Sequence, residues 1–267
     1  GVLDPCFWNN KEINRRLAEI LQFLTDDKWN LTFVRRLDSP PIEMPSLPLE
    51  IEPAGLTALF SGGLDSYAGL IHTLNTSSVK SINLVSCVTN ERQGAGQASQ
   101  VEIIRRYFWQ TEIRHFRVSV GINWPSSDQF DQDRTQRTRG LLFLTAGAIV
   151  AASSKTQILH LNENGVGAIN LPYDGSQTSA MNSRSSHPRV LNMVQSLAKK
   201  IVRQRLSIVN PYLFKTKAEM CSLIPIDLRS AVHLTFSCDG FPVREAHKPQ
   251  CGVCTSCLLR RMSLEAA

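Results

Sequence analysis

The chain has 267 residues, of which 42% are hydrophobic and 19% charged, so it can form one large globular domain with a small appendage, and the composition does not indicate disorder. No apolar run reaches the roughly 18 residues of a membrane helix and no signal peptide is evident, so we expect a cytoplasmic protein with no membrane partner. The net charge of +6 is spread along the chain without a nucleic-acid-binding motif, which argues against a nucleic-acid partner.

Residues 1–53 are predicted to form an N-terminal accessory region. Apolar residues in segment 10–24 recur at helical spacing and predict an amphipathic helix, and a proline-rich stretch over 40–53 follows it. The first residue is not Met, so we expect either a processed chain or a piece of a longer protein.

Residues 54–237 alternate short apolar runs with helical patterns, which predicts a doubly wound α/β domain with a mainly parallel sheet. A ligand crevice is expected at the carboxyl ends of its strands. The predicted strands are 56–60, 81–88, 113–120, 158–161 and 206–209. The predicted helices are 66–74, 97–109, 139–152, 188–202 and 217–223, the last with Thr216 as its N-cap and Pro225 as its stop.

A glycine-rich loop follows the first predicted strand and reads Phe60-Ser61-Gly62-Gly63-Leu64-Asp65-Ser66. Adjacent glycines let backbone amides form an anion nest, and the next helix adds partial positive charge, so we expect these residues to bind phosphate. Asp65 is expected to hold the shape of the loop or to position Mg²⁺. The loop lacks the serine-hydrolase and Walker A patterns, so no serine nucleophile is predicted. The alternative is an ordinary turn with a Ser or Asp helix cap.

Four cysteines crowd into the predicted C-terminal segment, 238–267, and predict a metal site: Cys238, Cys251, Cys254 and Cys257. Four thiolates complete a tetrahedral zinc site that is structural and would fasten the tail. Two alternatives are a ferredoxin-type iron–sulfur cluster, although the usual Cys-Pro is absent, and His247 as a ligand in place of Cys238.

The glycine-rich loop resembles the pyrophosphate loop of the N-type ATP pyrophosphatases, which cleave ATP to AMP and pyrophosphate. Together with the four cysteines and Arg260, it resembles the 7-cyano-7-deazaguanine synthases, the QueC-like family, over residues 55–263. Arg139 with Phe143-Leu144 is similar to a further family segment, as is Lys215 with Glu219.

The resemblance implies an adenine nucleotide alpha hydrolase-like fold that uses ATP, Mg²⁺ and Zn²⁺. It also implies adenylation of 7-carboxy-7-deazaguanine, amide formation with ammonia, and a second activation that yields the nitrile. Arg139 and Lys215 are the candidates for offsetting charge on the α-phosphate, and Asp65 is counted with the catalytic residues.

The sequence departs from the family after residue 161, where the usual Tyr-Pro-Asp-Cys-Arg loop is replaced. With the N-terminal region, this departure indicates a divergent branch similar to the QueC-like proteins of bacterial antiviral defence operons. In such a branch the hypothesis is that the activated acid passes to an amine of a protein or of another large molecule instead of ammonia. We expect Asn162 and Asn164 to bind substrate, Arg184 to pair with a carboxylate or phosphate, and His187 to accept a proton from the amine. The alternatives are that Arg184 is a solvated loop cation and that His187 caps the next helix.

Two other functions fit the same sequence. One is a tRNA-modifying ATP pyrophosphatase that adenylates or thiolates a base, and the other is a catalytically silent nucleotide-binding module. With the four C-terminal cysteines on zinc, thiolation would depend on Cys6, Cys87 or Cys221. A homodimer, a protein acceptor and an operon partner are all compatible with the sequence.

Overall fold

A computed structural model of the chain describes residues 2–36, 52–121, 137–170, 183–240 and 250–267. The N-terminal part contains helices α1 (Pro5–Trp8) and α2 (Lys11–Thr25). The side chain of Asn10 caps α2 by accepting hydrogen bonds from the amides of Glu12 and Ile13. The helix ends at Asp26, which adopts a left-handed conformation with φ of 60°.

Five parallel strands form one sheet, which confirms the predicted α/β class. Their spatial order is β3-β2-β1-β4-β5. The strand order therefore reverses direction between β1 and β4, which is where sheets of this class open a ligand crevice. The strands are β1 (Leu56–Leu59), β2 (Ser81–Val88), β3 (Glu112–Ser119), β4 (Ile158–His160) and β5 (Ser207–Val209).

Helices connect the strands and flank both faces of the sheet. Helix α4 begins at Glu91, earlier than the predicted residue 97, because the Asn90 side chain caps it through the Gln93 amide. None of the described helices has the length and apolar character that crossing a membrane needs. The helices after β1 are α3 (Leu64–Thr76), α4 (Glu91–Tyr107), α5 (Arg139–Ser153), α6 (Gly165–Ile169), α7 (Pro188–Val202), α8 (Lys217–Ser222), α9 (Ile226–Arg229), a 3₁₀ turn (Ser230–Leu234) and α10 (Thr255–Glu265).

The core has two apolar clusters, one on each face of the sheet, because successive strand residues point to opposite faces. Ala58 of β1 belongs to the cluster that contains α3, α4 and α8, whereas Leu59 belongs to the cluster that contains α5 and α7. Ile20 and Leu24 of α2 are fully buried in this second cluster. The N-terminal helix therefore contributes to the core of the main sheet.

Candidate nucleotide site and thiol cluster

The glycine-rich loop lies at the carboxyl end of β1, and neighbouring elements hold its carbonyl groups. Gln97 of α4 donates to the Ser61 carbonyl at 2.9 Å, and Gln100 donates to the Gly62 carbonyl at 3.0 Å. The C=O and N–H of a trans peptide point in opposite directions. Since these two carbonyl groups point toward α4, the N–H groups of the same peptides, those of Gly62 and Gly63, point away from it. The φ of Gly62 is +82°, and a Cβ there would lie 2.5 Å from the Phe236 ring. Only glycine fits this position.

Helix α3 starts directly after the loop, and no side chain caps it. Its first backbone hydrogen bond runs from the Tyr67 amide to the Gly63 carbonyl at 3.0 Å. The amides before Tyr67 in the first turn therefore have no intrahelical partner, and they carry the positive end of the helix dipole. Ser66 donates to the Gly63 carbonyl at 2.9 Å and lies 3.1 Å from the Ser61 hydroxyl. The loop and the helix form a preorganised anion site.

A buried group of charges lies beneath the loop. Lys217, the first residue of α8, forms an ion pair with Asp65, and their side chains are only 13% and 7% exposed. Asn164 donates to the other Asp65 oxygen at 2.6 Å and to Glu163 at 3.0 Å. Both oxygens of Asp65 therefore have protein partners, so this carboxylate holds the shape of the loop.

The pKa values in this group follow from burial and from the neighbouring charges. Burial alone would raise the pKa of Asp65, but the Lys217 cation and hydrogen bonds from Glu163 and Asn164 lower it to about 2. Burial and the Asp65 charge raise the pKa of Glu163 well above its ordinary value. Burial would lower the pKa of Lys217, but the two acidic neighbours raise it. These shifts favour the protonated form of Glu163 and the charged forms of Asp65 and Lys217.

Two cavities meet at the loop. The first, of about 570 Å³, is mostly apolar and is lined by residues such as Leu59, Val85 and Phe143. The second, of about 410 Å³, is polar and is lined by the first residues of α3, by Lys217 and by the C-terminal segment. Four residues line both cavities and mark their junction: Ser61, Ser66, Asn162 and Glu163.

Arg139, at the start of α5, lines the apolar cavity with its side chain exposed. Its guanidinium stacks over the Phe143 ring at 5.5 Å and has no hydrogen bond to any described residue. Asn162 is only 5% exposed, and neither of its amide atoms has a partner within the described part of the chain. Asn162 is thus available to a ligand at the junction of the cavities, and Arg139 to a ligand in the apolar cavity.

Lys215 does not line either cavity. Its charge instead contributes, after burial, to lowering the pKa of His72. Thr216 caps α8 in a capping box with Glu219, so the helix starts at Lys217 and turns this lysine toward Asp65. The sequence analysis missed Lys217 as the cation of the site. The signal for it was its position directly after the predicted N-cap Thr216, at the first residue of the helix.

His187 and Arg184 are used within the fold. The Nδ1 atom of His187 accepts from the Arg189 amide at 3.1 Å, so this residue caps α7. Burial and two arginines lower its pKa. Arg184 forms a bidentate ion pair with Asp26, at 2.7 and 3.0 Å, and stacks over Phe23. Neither residue lines a cavity, in contrast to the expected roles in amine deprotonation and ligand binding.

The four C-terminal cysteines converge, with their sulfur atoms all within 4.8 Å of one another. Cys238 and Cys254 are 3.9 Å apart, as are Cys251 and Cys257. A tetrahedron with metal–sulfur bonds of about 2.3 Å has edges of about 3.8 Å, so the cluster fits a single metal ion. A multi-iron cluster would need more space between the sulfurs. The alternative ligand His247 lies outside the described residues.

The sheet, the anion site at its switch point and the thiol cluster define an α/β protein with a candidate nucleotide site and a candidate metal centre. Residues 138–267 match the family model for the queuosine biosynthesis protein QueC. The match covers 130 of the 267 residues, so it shows a similarity to QueC over just under half of the chain.

A solved structure, the U34-tRNA thiolase NcsA from Methanococcus maripaludis with its [4Fe-4S] cluster, is similar at 13% identity and a TM-score of 0.45. The match covers 96% of this chain and 71% of that one. No curated protein matches the chain.

Proposed function

We propose that this protein uses ATP to adenylate the carboxylate of a 7-deazapurine acid, such as 7-carboxy-7-deazaguanine, and then transfers the acyl group to an amine. The observation that carries this proposal is the junction of an apolar and a polar cavity at the anion-binding loop. The apolar cavity suits flat heterocycles, and the polar cavity suits the pyrophosphate end of ATP.

In the first step, a carboxylate oxygen attacks the α-phosphorus, and the bond from that phosphorus to the bridging oxygen breaks. Pyrophosphate leaves with the electron pair into the polar cavity, toward the start of α3 and Lys217. Arg139 is proposed to hold the carboxylate on the opposite side, since its guanidinium lines the apolar cavity. Lys217 takes the place of Lys215 in this proposal.

In the second step, an amine nitrogen attacks the carbonyl carbon of the acyl adenylate. A carbon–nitrogen bond forms, the carbon–oxygen bond to AMP breaks, and the proton of the amine passes to solvent. With ammonia the product is an amide, which a second activation would dehydrate to the nitrile. His187 is not proposed as the base, because its Nδ1 atom caps α7.

Zinc is proposed for the thiol cluster, because four thiolates leave no open position on a tetrahedral ion and so form a structural site. Magnesium is proposed to enter with ATP. Asp65 is not its proposed ligand, since Lys217 and Asn164 occupy both carboxylate oxygens.

The thiols outside the cluster do not favour base thiolation, and Cys6, on α1, lines neither cavity. Cys87 lines the apolar cavity, but burial raises the pKa of its thiol to about 11. Burial likewise raises the pKa of Cys221 to about 11. Neither would be a thiolate at neutral pH, and the thiolate is the reactive form. Adenylation therefore explains the site better than thiolation.

The test is incubation of the protein with ATP, Mg²⁺ and 7-carboxy-7-deazaguanine, with and without ammonia, followed by mass spectrometry of the products. Acid-dependent AMP is expected, and ADP as the nucleotide product would refute the proposal. A co-purified or co-expressed partner protein is analysed in parallel. A mass gain on the partner that is lost in an Asp65→Ala variant would identify a protein amine as the acceptor, and label only in a small nitrile would identify ammonia.

A further inference from the structure

The wall of the polar cavity opposite the loop belongs to the thiol-cluster tail. Thr255, Ser256 and Leu259 of α10 line this cavity. These are the first, second and fifth residues of the helix, so its first turn faces the space that the start of α3 also faces. Helix α10 has 11 residues, and no side chain caps its N-terminus. Its first amides lack intrahelical partners, as those of α3 do.

A second observation independently indicates a ligand in this cavity. Asn162 lines it, is only 5% exposed, and has no hydrogen-bond partner for either amide atom among the described residues. The side chain of Asn162 packs closely against the backbone of Gly69, because a Cβ on Gly69 would lie only 2.6 Å from the Cβ of Asn162. This contact fixes the position of the Asn162 side chain. Burying an unpaired amide is unfavourable, and phosphate oxygens would accept hydrogen bonds from its NH₂ group.

The tail is also joined to the loop by a continuous set of contacts. Arg260 of α10 is only 7% exposed and donates to the Thr235 hydroxyl at 2.6 Å and to the Val232 carbonyl at 2.7 Å. The next residue after Thr235, Phe236, donates its amide to the Gly62 carbonyl at 3.2 Å. The position of α10 relative to the glycine-rich loop is therefore set before any ligand binds.

We propose that the first turn of α10 is the second half of the pyrophosphate site, so that pyrophosphate binds between the N-termini of α3 and α10. This inference rests on the proposed function, which places the pyrophosphate end of ATP in this cavity. The thiol cluster then has a role in ligand binding as well as in fastening the tail. Asp239 lies on the same wall, where its Oδ1 atom accepts from Ser256 at 2.5 Å, and its charge opposes an anion. The binding assay is therefore run with and without Mg²⁺.

The test is calorimetric titration of the metal-loaded protein with inorganic pyrophosphate, comparing Thr255→Pro with Thr255→Ala. Both variants lack the hydroxyl, but only proline lacks the amide hydrogen. Proline is compatible with the first position of a helix, and Cys254 before it has φ of −73° and ψ of 160°, as a residue preceding proline requires. We expect the proline variant to bind about tenfold more weakly than the alanine variant, the value of one hydrogen bond to a charged group.

A second pair of variants tests the same inference without a proline, in case the Thr255→Pro variant no longer binds the metal. Ser256→Glu places a negative charge on the cavity wall, whereas Val253→Glu places it nearby on a side chain that is 79% exposed and does not line the cavity. We expect at least about tenfold weaker binding for Ser256→Glu and less than about threefold for Val253→Glu, since solvent screens the exposed charge. Metal content and melting temperature are measured for each protein.

Equal affinities within both pairs would overturn the inference while leaving the proposed function intact, provided that the wild type binds pyrophosphate. Failure of the wild type to bind either ATP or pyrophosphate would overturn both. Binding of ATP without measurable binding of pyrophosphate would overturn the inference alone.

Discussion

Replacement of Glu163 by Gln should make the protein more stable at neutral pH. Glu163 is partly buried beside Asp65, and burial and that neighbouring charge raise its pKa well above its ordinary value of 4.5. Glutamine has nearly the shape of a protonated glutamic acid and can still donate to Asp65 while accepting from Asn164. The substitution therefore keeps the hydrogen bonds of the protonated side chain and removes its ability to ionise.

The magnitude follows from proton linkage. Between pH 4.5 and the raised pKa of Glu163, the folded state binds one proton more than the unfolded state. Wild-type stability therefore falls as pH rises, by about 1.4 kcal/mol per pH unit relative to Glu163→Gln. The difference in the free energy of unfolding should therefore shift in favour of the variant at each step of pH between 4.5 and the raised pKa of Glu163.

The assay is urea unfolding of wild type and variant at a series of pH values from 4.5 upward. The difference in the free energy of unfolding between the two proteins cancels the contributions of the other titrating groups, which both proteins share. Glu102→Gln is the control, because Glu102 is 52% exposed in a surface ion pair and should shift stability by less than about 0.5 kcal/mol at every pH. A difference between wild type and Glu163→Gln that stays constant with pH would refute the conclusion that Glu163 is protonated.

Three further predictions concern the site cation, the metal and the N-terminal helix. Lys217→Met should lower acid-dependent AMP release about a hundredfold and Lys215→Met less than threefold, and equal losses would contradict the placement of the two lysines. Cys251→Ser should reduce the bound metal and lower the melting temperature by roughly 5 °C, whereas a chelator should destabilise only the wild type. Asp26→Asn, which weakens a bidentate ion pair, should cost about 1 kcal/mol in urea unfolding, compared with less than about 0.5 kcal/mol for Glu19→Gln at an exposed pair.

Features that depend on local pattern were predictable from the sequence. The parallel sheet follows from apolar runs alternating with helical periods, and helix 188–202 was predicted with the bounds that α7 has. The anion loop and the four cysteines were also predictable, because each is defined by spacing within a short segment. The convergence of Cys238 with the later three cysteines agrees with that spacing.

Features that depend on tertiary packing were not predictable in the same way. Lys215 and Lys217 are two residues apart, and only the capped start of α8 decides which of them reaches Asp65. In the sequence Glu163 looks like an ordinary acidic residue after a strand. Nothing in the local sequence shows that Asp65 and Lys217 will lie beside it. The partner of Arg184 is Asp26, which is 158 residues away in the chain. Long-range pairs of this kind leave no periodic signal.

The structure separates the residues that would perform the chemistry from the residues that would select the substrate. The floor of the junction consists of the loop, Asn162 and Glu163, but the far wall of the apolar cavity includes Arg137, Ser183, Ser185 and Ser186. Helix α2 fixes both parts of this wall, since Arg137 donates to the Thr25 carbonyl at 2.6 Å and Arg184 pairs with Asp26. A change in the end of α2 would therefore move the wall without moving the loop. We expect a divergent choice of acid or acceptor to map to this helix end and to the wall that it holds, while the proposed adenylation would depend on the loop.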